Sequence, residues 1–162
     1  MALARAGPGN HILETVWDGG GTDTYDLSNY TNDLVIDLRP GRWSTFSSAQ
    51  LSHLDQYTGN THVGAGNVAN ALLYNNDARS LIESAIGGPG SDVINGNAAN
   101  NVLDGGNGGA DQVNGATGND TVSYAVSSRA VSLISLLSSP GMGPTMMCFP
   151  ALKMPQVRVS AI

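Results

Sequence analysis

The chain has 162 residues, 21 of them Gly, and a net charge of −6 from 13 Asp plus Glu against 7 Lys plus Arg. Eleven of those acids are Asp, which competes with helical hydrogen bonding and favours turns, so the composition excludes a helix bundle and points to a turn-rich β protein. The acidity excludes a general nucleic-acid or anionic-membrane binder, the lone Cys148 excludes an internal disulfide or Cys-based zinc site, and no apolar run reaches the roughly 20 residues of a membrane span.

Met1 to Asn10 lacks the apolar core of a signal peptide. The pattern then predicts a strand over Ile12 to Trp17 and a glycine turn over Asp18 to Asp23. A strand-like alternation follows from Leu34 to Leu38 and stops at Pro40. Ser48 to Leu54 reads as one or two helical turns. Asn67 to Tyr74 and Ser80 to Ile86 are further short apolar segments, and Trp17 and Tyr25 read as core or cap.

From Gly87 the chain repeats with a period of nine: GGPGSDVIN, GNAANNVLD, GGNGGADQVN and GATGNDTVS, the third unit carrying one extra residue. The pattern is G-G-x-G-x-D-x-U-x, with U a large apolar residue, and it resembles the calcium-binding RTX nonapeptide. Its six-residue Gly/Asp part must turn tightly, with several residues at positive φ. Its x-U-x part is a three-residue strand, so Ile94, Leu103, Val113 and Val122 are expected to point inward. Two units make one coil. Asp92 is then expected beside Asp111, and Asn101 beside Asp120. Stacked carboxylates repel unless a hard dication lies between them with backbone carbonyls, and six to eight oxygens at about 2.3–2.6 Å suit Ca²⁺ better than Mg²⁺. The turn positions assigned as ligands are Gly88, Gly90 and Asp92, then Gly96, Ala98 and Asn100, then Gly106, Gly108 and Asp111, then Gly118 and Asp120. The Asp92 pair is expected to bind better than the Asn101 pair, unless the inserted residue distorts the Asp111 loop.

ETVWDGGGTDTYDLSNY, VIDLRPGRWSTF and ANALLYNNDARSLIESAIGGPGSD together resemble the C-terminal domain of serralysin-type secreted metallopeptidases, over about Glu14 to Val126. The resemblance implies an all-β fold: a parallel β-roll of nonapeptide repeats (87–123) with an N-terminal β-rich flank, within a domain at 1–137. It implies that the Trp-Asp-x-Gly-Gly-x-Asp loop shares the calcium stack of the first nonapeptide. Carried over by position, Asp18, Gly20, Gly21, Asp23 and Glu83 become ligands. The chain departs from the family at Leu81, where the family often has Thr. The implied function is non-catalytic: Ca²⁺-triggered folding after export, as the partner of a zinc protease domain, outside the cell. A structural or adhesive RTX module, or a non-functional fragment, are the alternatives.

No H-E-x-x-H occurs and His11, His53 and His62 show no i, i+4 spacing, so no catalytic zinc is expected. Neither G-K-[ST] nor G-x-S-x-G occurs, which argues against phosphate binding and serine hydrolysis. From Ser138 the texture changes: four of five Met, Cys148, Lys153 and four of seven Pro fall there. Met146 to Phe149 must be encoded ATG ATG TGY TTY; shifted back by one nucleotide, these triplets give Asp, Val, then Leu or Phe. Leu152 to Pro155 can likewise give Glu, Asn or Asp, then Ala, restoring an Ile-Glu signature like Ile82 and Glu83. A frameshift between about Leu137 and Met142 is therefore expected, with a disordered tail at 138–162, no recognisable export signal, and an open, self-associating edge near Val113, Val122 and Tyr124.

Overall fold

The computed structural model describes residues 10–55 and 62–127 and the backbones of three strands beyond; among the described residues the regular elements are strands and three short 3-10 turns. In chain order the strands are β1 (Glu14–Val16), β2 (Thr24–Asp26), β3 (Val35–Asp37), β4 (Trp43–Ser44), β5 (Val68–Asn70), β6 (Ser84–Ile86), β7 (Val93–Asn95), β8 (Val102–Asp104), β9 (Gln112–Asn114) and β10 (Asn119–Ser123), followed by β11 (Ser132–Leu136), β12 (Thr145–Phe149) and β13 (Gln156–Ser160).

The chain alternates between two sheets. β2, β6, β8 and β10 are parallel neighbours in one; β3, β7 and β9 are parallel neighbours in the other. This is a parallel β-roll, and the fold is all-β. A three-residue strand has room for one inward side chain, and the register stacks those residues coil on coil. Tyr25, Ala85, Leu103 and Val122 align in the first sheet, and Ile36, Ile94 and Val113 in the second. All seven are buried, with Val122 the most exposed at 5%. The alternation in the sequence thus places the predicted inward residues as expected.

Between β3 and β6 the chain leaves the roll to form β4 and β5, which join the earlier β1 in a third sheet, in the order β1-β5-β4. Thr45 and Val35 exchange backbone hydrogen bonds of 2.8 and 2.9 Å, so this flank lies along the outer edge of β3. Phe46, Leu38, Val68 and Tyr30 join the roll residues in one apolar core. Tyr25 belongs to it, its hydroxyl donating to Asn70 Oδ1. Trp17 does not, being 65% exposed. The helical reading of Ser48 to Leu54 reduces to one 3-10 turn, Ser48–Gln50.

At the far end, β12 pairs antiparallel with β9 and β13 antiparallel with β10. The edges expected to be open are therefore hydrogen-bonded, because unpaired strand N–H and C=O groups take a backbone partner whatever side chains the partner carries. The rest of the tail, the domain boundary at 137/138 and the frameshift window lie outside the described residues.

Candidate metal centre

The turns form two stacks, one along each edge of the roll. Turns 27–34, 87–92 and 105–111 lead into the second sheet; turns 18–23, 77–83, 96–101 and 115–120 lead into the first. The turn containing Asp18 to Asp23 therefore stacks with the Glu83 segment and the second and fourth repeats, not with the first nonapeptide. The reason is topological: it precedes β2, and β2 pairs with β6.

Acidic residues at the ends of four turns reach back one coil. Asp92 Oδ1 accepts from Leu34 N at 2.9 Å, and Asp111 Oδ1 from Asp92 N at 2.9 Å. On the opposite edge Glu83 Oε2 accepts from Asp23 N and Asp120 Oδ1 from Asn101 N, both at 2.9 Å. The other oxygen serves its own turn where Asp92 Oδ2 accepts from Gly88 N at 2.8 Å. The expected neighbours, Asp92 with Asp111 and Asn101 with Asp120, are thus in direct contact, through side chain and backbone. The inserted residue of the third repeat leaves this contact intact, and in the longer turn Ala110 N donates to Ser91 Oγ.

These carboxylates are buried, with Asp92 at 0% exposure, Asp111 at 7% and Asp120 at 5%. Burial pushes all three acids up from the ordinary carboxylate range, and Asp111, beside Asp92 and Asp104 as well, reaches about 7. The described ion pairs are Arg39–Asp37, His62–Asp55 and Arg79–Asp77, and none touches these groups. Neighbouring turns also press backbone on backbone. A Cβ on Gly108 would lie 2.6 Å from the Pro89 carbonyl oxygen, one on Gly90 2.5 Å from Asn32 O, and one on Gly118 2.6 Å from Ala99 O. Gly88 and Gly106 are as tightly confined, by Tyr30 O and Gly88 O respectively.

The donor set fits a hard oxygen-seeking cation: buried carboxylates with no cationic partner among the described residues, beside closely stacked carbonyls. Among the described residues no three His, Cys, Asp or Glu side chains converge, so carbonyls would supply most ligands and the carboxylates the charge. Of the other predicted positions, Asp18 Oδ2 accepts from Gly20 N at 2.8 Å, and Gly20 and Gly21 take φ of 105° and 144°. Asn100 Oδ1 accepts from Asn119 N at 2.8 Å. Gly96 packs against Asn101 and Gly115 O, and Ala98 is exposed. Leu81 is buried in the core and offers no side-chain oxygen.

Two participants escaped the sequence reading. Asn97 is 2% exposed, and its Nδ2 donates to Ile82 O at 2.7 Å and Leu38 O at 3.2 Å. Asn101 Nδ2 likewise donates to Glu83 O at 3.2 Å. Amide hydrogens therefore fill the gap between turns 77–83 and 96–101. The missing second Gly of GNAANN was the available signal. Asp33, whose Oδ1 accepts from Ser91 N at 2.8 Å, belongs to a turn with no repeat spacing to reveal it.

Part of the chain is similar in sequence to known peptidases. Serralysin of Proteus mirabilis is 38% identical over 92 residues, 57% of this chain and 14% of that protein. Serralysin of Photorhabdus laumondii is 37% identical over 92 residues, 57% and 15% respectively. Metallopeptidase AprA of Pseudomonas marginalis is 34% identical over 101 residues, 62% and 17%. The matched segment is thus a small part of each relative. The family described as Peptidase M10 serralysin C terminal matches residues 5–135. With most of its length matched and its strands coiled into a roll, the chain belongs to the serralysin C-terminal family.

Proposed function

We propose that this chain is a calcium-binding, non-catalytic domain that folds outside the cell and serves a secreted zinc metallopeptidase. The observation that carries the reading is the row of buried carboxylates, Asp92, Asp111 and Asp120, with no cationic partner among the described residues. Bound Ca²⁺ supplies positive charge and six to eight oxygen bonds. The residues do the rest. Asp92 and Asp111 hold the first-sheet-to-second-sheet turns in register through backbone N–H groups, and Glu83 and Asp120 do so on the other edge.

The buried negative charge opposes folding wherever calcium is scarce and favours it wherever calcium is abundant, which suits a chain threaded out unfolded. Only the C-terminal region of the peptidases is matched. The H-E-x-x-H chemistry of the family therefore belongs to a separate protease domain, the proposed partner. Circular dichroism and thermal melts with and without millimolar Ca²⁺ test the reading: calcium should raise the melting temperature and a chelator lower it. Identical curves would overturn it. An upstream reading frame carrying H-E-x-x-H supports the protease partner; its absence favours a structural or adhesive module.

A further inference from the structure

We propose that His11 and His53 form a two-imidazole site for a borderline divalent cation, Zn²⁺, clipping the N-terminal segment to the paired arm at residues 51–55. Both side chains are exposed and lie outside the turns of the roll. Their backbones are held together: Ile12 bridges Leu51 in parallel, and Ile12 N donates to Gln50 O at 2.8 Å. His53 bridges Val63, flanked by hydrogen bonds of 2.9 Å from Gly64 N to Ser52 O and from Leu54 N to His62 O.

His11 Nδ1 lies 2.7 Å from the Leu51 carbonyl oxygen. A carbonyl only accepts, so Nδ1 carries a proton, and in the neutral ring Nε2 keeps its lone pair. A backbone carbonyl on the far nitrogen is the orienting contact that metal-bound imidazoles use. The two ring centroids are 4.8 Å apart, at 81° between planes. With metal–nitrogen bonds of about 2.0–2.1 Å, a ring centroid sits about 3.2 Å from its metal, and two rings sharing one ion at about 90–110° stand about 4.5–5.2 Å apart. The observed spacing falls inside that interval. Imidazole nitrogen selects zinc and its transition-metal neighbours over calcium, which takes oxygen. No third side chain of a metal-binding type joins the pair among the described residues, so water completes the shell and the role is a structural clip. His62 is engaged by Asp55 at 2.8 Å and serves as the control.

Neither His11 nor His53 belongs to the proposed calcium turns, and calcium is held constant throughout the test. The full chain in millimolar Ca²⁺ is titrated with ZnCl₂ by calorimetry, with thermal melts in parallel. Zinc should bind and raise the melting temperature. His11→Ala and His53→Ala should each weaken binding at least about tenfold and abolish the shift, while His62→Ala leaves both unchanged. No zinc binding, binding that survives both substitutions, or loss only with His62→Ala would each overturn the site.

Discussion

Asp111 shows how a single side chain can oppose the fold it organises. Its Oδ1 ties Asp92 N into the stack, yet burial and two neighbouring acids raise its pKa to about 7. An unfolded Asp titrates near about 3.9, so the folded state binds the proton more tightly. The metal-free roll is therefore favoured below about pH 4 and loses that advantage, on the order of 2–4 kcal/mol, as pH rises through about 7. Melts of chelated protein should show the melting temperature falling between pH 5 and about 8, with the calcium-induced gain growing over the same range. Asp111→Asn should flatten the metal-free profile and shrink the calcium gain; an unchanged profile would assign the pH dependence to other groups. Asn97 acts in the opposite sense, its amide hydrogens binding carbonyls of two neighbouring segments. Asn97→Gly restores the repeat consensus but strands the buried Ile82 and Leu38 carbonyls, and urea unfolding should show a loss of about 1–3 kcal/mol in metal-free protein.

The turn is the element in which this chain is most constrained. In the seven-residue turn of the third repeat, Gly109 takes φ of 62° and a Cβ there would overlap the Gly90 carbonyl oxygen. Gly109→Ala should cost about 1–3 kcal/mol, read from the urea midpoint. The fourth repeat carries the reverse case. Ala116 stands where the pattern calls for its second Gly, at φ of 68°. Ala116→Gly should relieve the left-handed strain and raise stability by about 1 kcal/mol, and a fall in the urea midpoint would contradict that account.

Across the whole molecule, stability is a sum of coil-on-coil contacts, so loss of a contact at one edge should propagate to its neighbours. Asp92 is central to this coupling, because it accepts from coil one while its own N–H is held by coil three. Asp92→Ala should lower the calcium-saturated melting temperature more than Asn101→Ala, since only the former removes charge as well as hydrogen bonds. Equal losses in paired melts would show that the carboxylate is dispensable.

The nine-residue period determined the strands β7 to β10 and their inward residues and, with two units to a coil, the pairing of Asp92 with Asp111. The flank was legible as elements, Ile12 to Trp17, Leu34 to Leu38 and Asn67 to Tyr74, but not as a sheet of its own. No periodicity in the sequence states that β5 lies between β1 and β4. Which turns share an edge was likewise hidden. The Asp18 loop sits with Glu83 and Asn101 only because β2 pairs with β6, across a long excursion through the flank. The tertiary structure alone decided that Asn97 seals a gap between turns, that Trp17 stays outside the core, and that His11 meets His53 from 42 positions away. Local propensity and spacing act over a few residues. Contacts between distant segments depend on how the burial of the whole core positions them.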